Sequence, residues 1–78
     1  MDSNMLQEQV KNIFVNTTGI ELKSLDLERP IESFELNISQ QFVFLSALED
    51  SFKLSLPEEL LYSQTKLKGF AEYIAKHV

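Results

Sequence analysis

Apolar residues recur at helical spacing in three stretches of the chain. The first stretch runs from about Ser3 to Asn16 and is soon followed by Gly19, a residue type common at helix ends. Ser3 or Asn4 is a suitable N-cap for it. Its apolar positions are Met5, Leu6, Val10, Ile13 and Phe14. The pattern predicts an amphipathic helix that buries one face.

A second helix is predicted from about Ser39 to Phe52, with Asn37 or Ser39 as its N-cap. Its apolar stripe consists of Phe42, Leu45, Leu48 and Phe52, widened by Phe44 and Ala47. Pro57 cannot continue this helix, but it suits the first position of a short third helix over residues 57–62.

The last helix is predicted from about Thr65 to His77. Its inward positions are Leu67, Phe70, Ala71, Ile74 and Val78. Between the first two helices, residues 20–37 follow neither the helical nor the strand period, and Arg29-Pro30 interrupts any helix there. A short helical turn is expected near Ile31–Phe34. The apolar side chains of this segment favour its packing along the core.

These elements predict an all-α bundle of three main helices and one short helix, with a long first loop, in a single domain spanning residues 1–78. No window approaches the roughly 18 apolar residues that a membrane span needs, and the N-terminus does not resemble a secretory signal. The chain has no cysteine, which excludes a disulfide or a thiolate nucleophile. We therefore expect a cytoplasmic protein that does not insert into a membrane.

The net charge of −5 argues against nucleic-acid binding, because the lysines are few and scattered. It favours basic protein partners, or serves only solubility. His77 is the only histidine and lies in the last helical turn, so no serine–histidine–acid arrangement is expected. Two carboxylates, Glu58-Glu59, stand at the start of a predicted helix. They are explained more simply by their favourable interaction with the helix dipole than as ligands of a metal ion. The sequence therefore predicts neither an enzyme nor a metal site.

The order of elements and several segments resemble the acyl carrier and peptidyl carrier proteins, and the polyketide-type carriers in particular. Residues 25–31, Leu-Asp-Leu-Glu-Arg-Pro-Ile, look like the loop before the attachment site of such carriers. Residues 47–52, followed by 54–57, look like the end of their second helix and the next turn. Thr65, Leu67, Tyr73 and Ile74 match positions in their final helix.

The resemblance implies a carrier bundle whose work depends on one serine at the start of the second helix, within an Asp-Ser-Leu or Asp-Ser-Ile triplet. A transferase attaches 4′-phosphopantetheine to that serine, and the arm then carries acyl groups between enzymes. Here the ungapped match places Asn37-Ile38-Ser39 on the triplet. Ile38 therefore stands at the attachment position, and an isoleucine has no nucleophile.

Ser39 has three interpretations. A local shift of the helix start would let it replace the missing serine and carry phosphopantetheine. Alternatively, it is only an N-cap or first-turn residue, and the protein is never modified. Lastly, the sequence is an artificially altered one. Ser51, within Asp50-Ser51-Phe52, mimics the triplet but lacks a full helix after it.

In carriers the surface of the second helix is commonly acidic and binds basic enzymes. The corresponding surface here has Gln40, Gln41 and Val43, with charge only at Glu49 and Asp50. The resemblance thus implies a more apolar docking face for acyl-transfer or condensing enzymes, and for a phosphopantetheinyl transferase if the arm is attached. We expect a monomeric acyl carrier-type protein of a fatty-acid or polyketide-like pathway. The alternative is a degenerate carrier-like protein that acts only as an interaction module.

Overall fold

A computed structural model describes residues 3–62 and 65–77. Within these ranges the chain forms three α-helices, three short 3₁₀ segments and no strand beyond one isolated backbone bridge. The α-helices are α1 (Ser3–Thr18), α2 (Ile38–Phe52) and α3 (Leu67–His77). The all-α prediction is confirmed, and α1 packs against both α2 and α3.

The end of α1 is set by Gly19, as its position in the sequence predicts. Gly19 has a φ of +75°, which an L-residue rarely adopts, and its N–H donates to the Val15 carbonyl at 2.9 Å. Ser3 and Asn4, the expected N-caps, both lie within α1, and the residues before Ser3 fall outside the described ranges.

The connection from α1 to α2 contains two 3₁₀ segments, Ser24–Glu28 and Ile31–Phe34. The second is the helical turn that the sequence predicts. The connection follows the core as expected, because three of its apolar side chains are buried: Leu22, Ile31 and Leu36. Leu25 is an exception, with 82% of its surface exposed.

Backbone hydrogen bonds join this connection to the start of α3. The Ile31 N–H donates to the Thr65 carbonyl at 2.9 Å, and the Leu67 N–H donates to the Arg29 carbonyl at 3.1 Å. The expected start of α3 at Thr65 is therefore wrong. The Thr65 carbonyl is used by the connection, and the helix begins two residues later. Val78 lies outside the described residues, so its predicted inward position is not described.

Ion pairs reinforce the same junction. Glu28 accepts from the Lys68 ammonium at 2.9 Å and lies 3.5 Å from the Lys66 ammonium. The hydrogen bond from Lys68 lowers the pKa of Glu28, and the same bond raises the pKa of Lys68. These groups are solvent-exposed, so each pair adds little stability and mainly fixes the position of the loop.

Within the connection, short-range contacts hold its turns. The Lys23 N–H donates to the Asp26 carboxylate at 2.8 Å and lowers the pKa of that carboxyl. The Arg29 guanidinium lies 4.1 Å from the centre of the Phe34 ring and donates to the Ser33 hydroxyl. These contacts order a segment that has no regular period in its sequence.

The short helix predicted over residues 57–62 is present, but its type and its first residue differ from the prediction. It is a 3₁₀ segment, Glu58–Leu61, and Pro57 precedes it in an extended conformation instead of being its first residue. The end of α2 does not depend on Pro57 either. Lys53 adopts a left-handed conformation with φ +57°, and its N–H donates to the Glu49 carbonyl.

The core is built on aromatic rings from four elements. Phe14 of α1 lies 5.0 Å from Phe34 of the connection and 5.3 Å from Phe44 of α2, and Phe44 lies 5.2 Å from Phe70 of α3. Edge-on and tilted contacts at these distances are favourable. The buried stripe of α2 consists of Phe44, Leu45 and Leu48.

Phe42 and Phe52, the first and last residues of the predicted stripe, are only half-buried. The stripe is thus rotated relative to the sequence prediction. The reason is that α2 has apolar residues on several faces, so its pattern does not select one. Phe42 is consequently available to the outer surface of the helix.

Candidate functional site

The start of α2 is fixed by two reciprocal hydrogen bonds. The Asn37 side-chain oxygen accepts from the Gln40 N–H at 2.8 Å, and the Gln40 side-chain oxygen accepts from the Asn37 N–H at 3.0 Å. This is a capping box. Of the two predicted N-caps, Asn37 is therefore the one used, which makes Ile38 the first helical residue and Ser39 the second.

Both side chains at this helix start point to solvent. Ile38 is 71% exposed. Ser39 is also exposed, and its hydroxyl has no hydrogen bond to the described residues. Consecutive helical side chains project about 100° apart, so Ser39 and Ile38 occupy different directions around the axis.

A shallow depression lies on the outer surface of α2, two turns further along. It is lined by Phe42, Val43, Ser46, Ala47 and Asp50, and we call it the α2 depression. Val43 is 52% exposed. The carboxylate of Asp50 forms no ion pair with any residue that the structure describes. The predicted docking residues Val43 and Asp50 thus lie on the same apolar surface, and Asp50 is the only charged residue among those that line it.

The other three predicted docking residues form hydrogen bonds with other residues of the chain. Gln40 closes the capping box, and Gln41 donates from its side-chain nitrogen to the Leu36 carbonyl at 3.0 Å. The Glu49 carboxylate accepts from the Leu56 N–H at 2.9 Å. These side chains hold the two ends of α2 in place. Their predicted role in partner binding stays a prediction.

The remaining candidates from the sequence are not brought together. Within residues 3–62 and 65–77, no group of three or more metal-ligating side chains is close enough to hold an ion. His77 stacks on Tyr73, and its Nδ1 lies 2.8 Å from the Tyr73 carbonyl. Ser51 is exposed in the last turn of α2, with one helical residue after it. No helix among the described residues is long and apolar enough to cross a membrane.

Comparison with known protein families shows the family to which the chain belongs. Residues 8–74, most of the chain, match the family model described as a phosphopantetheine attachment site. The chain belongs to this family. No curated protein sequence matches it significantly. Domains of the phosphopantetheine attachment-site family generally carry groups for enzymes and are not themselves catalytic, so membership supports a carrier-protein role.

The residue that the resemblance places at the attachment position does not fit the arm. Attachment requires a hydroxyl oxygen at the start of the second helix, and the resemblance assigns that place to Ile38. The Ile38 side chain is accessible but consists only of hydrocarbon. The nearest hydroxyl on α2 is that of Ser39, one residue later and turned around the helix axis.

Part of the site is missing from the sequence interpretation. Phe42, Ser46 and Ala47 line the depression, although the sequence pattern predicts that Phe42 and Ala47 belong to the core stripe. Helical spacing offers a signal, because residues three, four and seven positions after Val43 share its face. Projecting α2 around Val43 would have selected Ser46, Ala47 and Asp50.

Proposed function

We propose that this protein is a carrier-type domain that presents α2 to enzymes of a fatty-acid or polyketide-like assembly pathway, and that it bears no phosphopantetheine at residue 38. Family membership supports the carrier fold and role. The proposal that residue 38 is unmodified is supported by the exposed Ile38 side chain, which has no hydroxyl, at the first position of α2. The proposed partners are acyl-transfer or condensing enzymes, bound by a monomer.

The register of α2 supports this proposal over a shifted helix. For Ser39 to occupy the position of Ile38, the helix would have to begin one residue later. Both hydrogen bonds between Asn37 and Gln40 would then be lost. The buried residues Phe44 and Leu48 would also turn by about 100° away from the core.

The outer surface of α2 supports docking. An exposed apolar surface commonly marks a protein-interaction site. A carrier without its attachment residue can therefore still bind partners through this surface. Val43 on that surface is 52% exposed, and Ile38 at the start of the helix is 71% exposed. Because only Asp50 adds a free charge there, we expect binding to depend weakly on salt.

The second candidate is a carrier loaded at Ser39. It is favoured by one observation, namely that the Ser39 hydroxyl is exposed in the first turn of a helix and has no hydrogen bond to the described residues. Backbone N–H groups at a helix N-terminus can stabilise a phosphate ester.

Intact mass after incubation with coenzyme A and a broad-specificity phosphopantetheinyl transferase separates the two candidates. We expect no mass gain for the wild-type protein, with Ile38→Ser as the positive control for transferase recognition. A wild-type gain that is lost in Ser39→Ala would establish loading at Ser39 and overturn the unmodified state. If Ile38→Ser also stays unloaded with transferases that load other carriers, the proposed presentation of α2 is wrong.

A further inference from the structure

We propose that the junction between the first connection and α3 is a separate docking surface, which binds an acidic amphipathic helix of a partner protein. We call it the junction surface, and it consists of Leu25, Glu28, Lys66 and Lys68. Leu25 inserts between apolar side chains of the partner helix, and the two lysines pair with its carboxylates. The inference goes beyond the proposed role of α2 and does not depend on it.

The apolar part of the junction surface is a single leucine on a turn that is already formed. Leu25 is 82% exposed, more than any other large apolar side chain that the structure describes. One exposed leucine is ordinary on a protein surface, so the segment that carries it is what matters. The Asp26 carboxylate accepts from the Lys23 N–H at 2.8 Å, and the Arg29 N–H donates to the Asp26 carbonyl at 3.0 Å. Since the turn is held by these bonds, little further order is lost when a partner covers Leu25.

The charged part of the surface lies beside this leucine. Side chains three residues apart eclipse each other in a 3₁₀ helix, so Leu25 and Glu28 share one face, about 6 Å apart along the axis. The Glu28 carboxylate lies 2.9 Å from the Lys68 ammonium and 3.5 Å from the Lys66 ammonium. Two positive charges thus share one negative charge next to Leu25. The face combines exposed hydrocarbon with an excess of positive charge.

The distribution of charge along the chain selects an acidic partner. Residues 23–29 and 66–68 contain four of the seven lysine and arginine residues but only two of the twelve acidic residues. A short acidic helix contacts this region alone and is attracted to it. A nucleic acid or an anionic lipid surface extends further and is repelled by the acidic remainder of the chain. A second copy of the chain offers its α2 depression, where Asp50 is the only charged residue, so it has one carboxylate for two lysines.

The geometry of the surface defines the apolar face of the partner helix. A single projecting side chain fits into a hole formed by four side chains of a facing helix, as in coiled coils. These four are positions i, i+3, i+4 and i+7, which lie together on one face. The carboxylates must lie along the border of that face to reach the ammonium groups of Lys66 and Lys68. The partner is therefore an amphipathic helix with an apolar stripe and acidic flanks.

Stapled helical peptides, titrated into the isotope-labelled protein at low ionic strength and followed by amide NMR shifts, test the proposal. The probe peptide has leucine at i, i+3, i+4 and i+7 and glutamate along both borders of that face. One matched peptide replaces the glutamates by lysine, and the other replaces the leucines by alanine. We expect the largest shifts at residues 23–29 and 66–68, and binding of the probe at least about threefold tighter than that of either matched peptide.

Substitutions of exposed side chains separate the two parts of the surface. Leu25→Ala should weaken binding of the probe at least about fivefold, because the hydrocarbon that enters the partner's hole is lost. Val43→Ala removes hydrocarbon from an exposed side chain of α2 and should leave binding unchanged. Lys66→Gln should weaken binding about twofold, since one exposed ion pair is lost. Lys76→Gln, which removes the same charge from the last turn of α3, should have no effect.

Absence of binding by the probe, shifts centred on α2, or equal binding of the glutamate and lysine peptides would each overturn the proposal. Binding that is unaltered in Leu25→Ala would overturn it as well. Concentration-dependent self-association that Leu25→Ala abolishes would replace the partner helix by a second copy of the chain. The mass assay on Ile38→Ser involves none of the residues of the junction surface, so its outcome and that of the peptide titration are independent.

Discussion

Replacement of Asn37 by alanine tests the register of α2, on which the functional interpretation depends. The substitution removes the oxygen that accepts from the Gln40 N–H at 2.8 Å. Asn37 is exposed, so no cavity is created and the loss is that of an N-cap alone. Such a loss costs about 1 kcal/mol. In a domain of this size, that free energy lowers the melting temperature by about 4–8 °C.

Urea and thermal unfolding, followed by far-ultraviolet circular dichroism, measure this effect. Asn37→Asp is the matched control, because aspartate keeps the acceptor and its charge favours a helix N-terminus. It should be as stable as the wild type or slightly more stable. Ser39→Ala should change the free energy of unfolding by less than about 0.5 kcal/mol, because its hydroxyl has no hydrogen bond to the described residues. A loss in Ser39→Ala equal to that in Asn37→Ala would refute the register and place the cap at Ser39.

Three further predictions concern the bundle. Phe44→Ala should lower the free energy of unfolding by about 3–5 kcal/mol in urea titrations, because its ring is fully buried, whereas Phe44→Leu should lose less. Gly19→Ala should cost about 1 kcal/mol in the same assay from backbone strain at φ +75°, and Gly19→Asn less. Glu28→Gln should slightly destabilise the protein at neutral pH, because the hydrogen bond from Lys68 lowers the pKa of Glu28. That difference is present above the ordinary glutamate pKa of about 4.3 and should disappear as pH falls through the lowered value, which unfolding at a series of pH values will show. An equal difference at neutral pH and pH 2 would contradict this linkage.

The helices could be predicted because their signals are local. Gly19 ends α1, Asn37 caps α2, and the turn at Ile31–Phe34 follows a proline that breaks any longer helix. The start of α3 could not be placed in the same way. It is determined by hydrogen bonds between the Arg29–Ile31 and Thr65–Leu67 segments, which are more than thirty residues apart in the sequence.

The candidate site shows a similar division. The sequence indicates Ile38, Ser39, Val43 and Asp50 among the candidate site residues, and all four are exposed on α2. It did not anticipate that Glu49 would accept from a backbone N–H beyond the end of the helix, since this contact depends on how the following turn folds back. It also did not reveal that the apolar stripe leaves Phe42 half outside the core, because packing against α1 decides the rotation of α2.

The most direct test of the central claim is to determine which residue of the Ile38→Ser variant receives the phosphopantetheine arm. The claim is that residue 38 begins α2, projects into solvent and still lies where a carrier is loaded. After transferase treatment, tandem mass spectrometry should find phosphopantetheine on residue 38 of the variant and none on the wild-type protein. Modification of Ser39 in the wild type, or an Ile38→Ser variant that folds normally but is loaded only at residue 39, would contradict the claim.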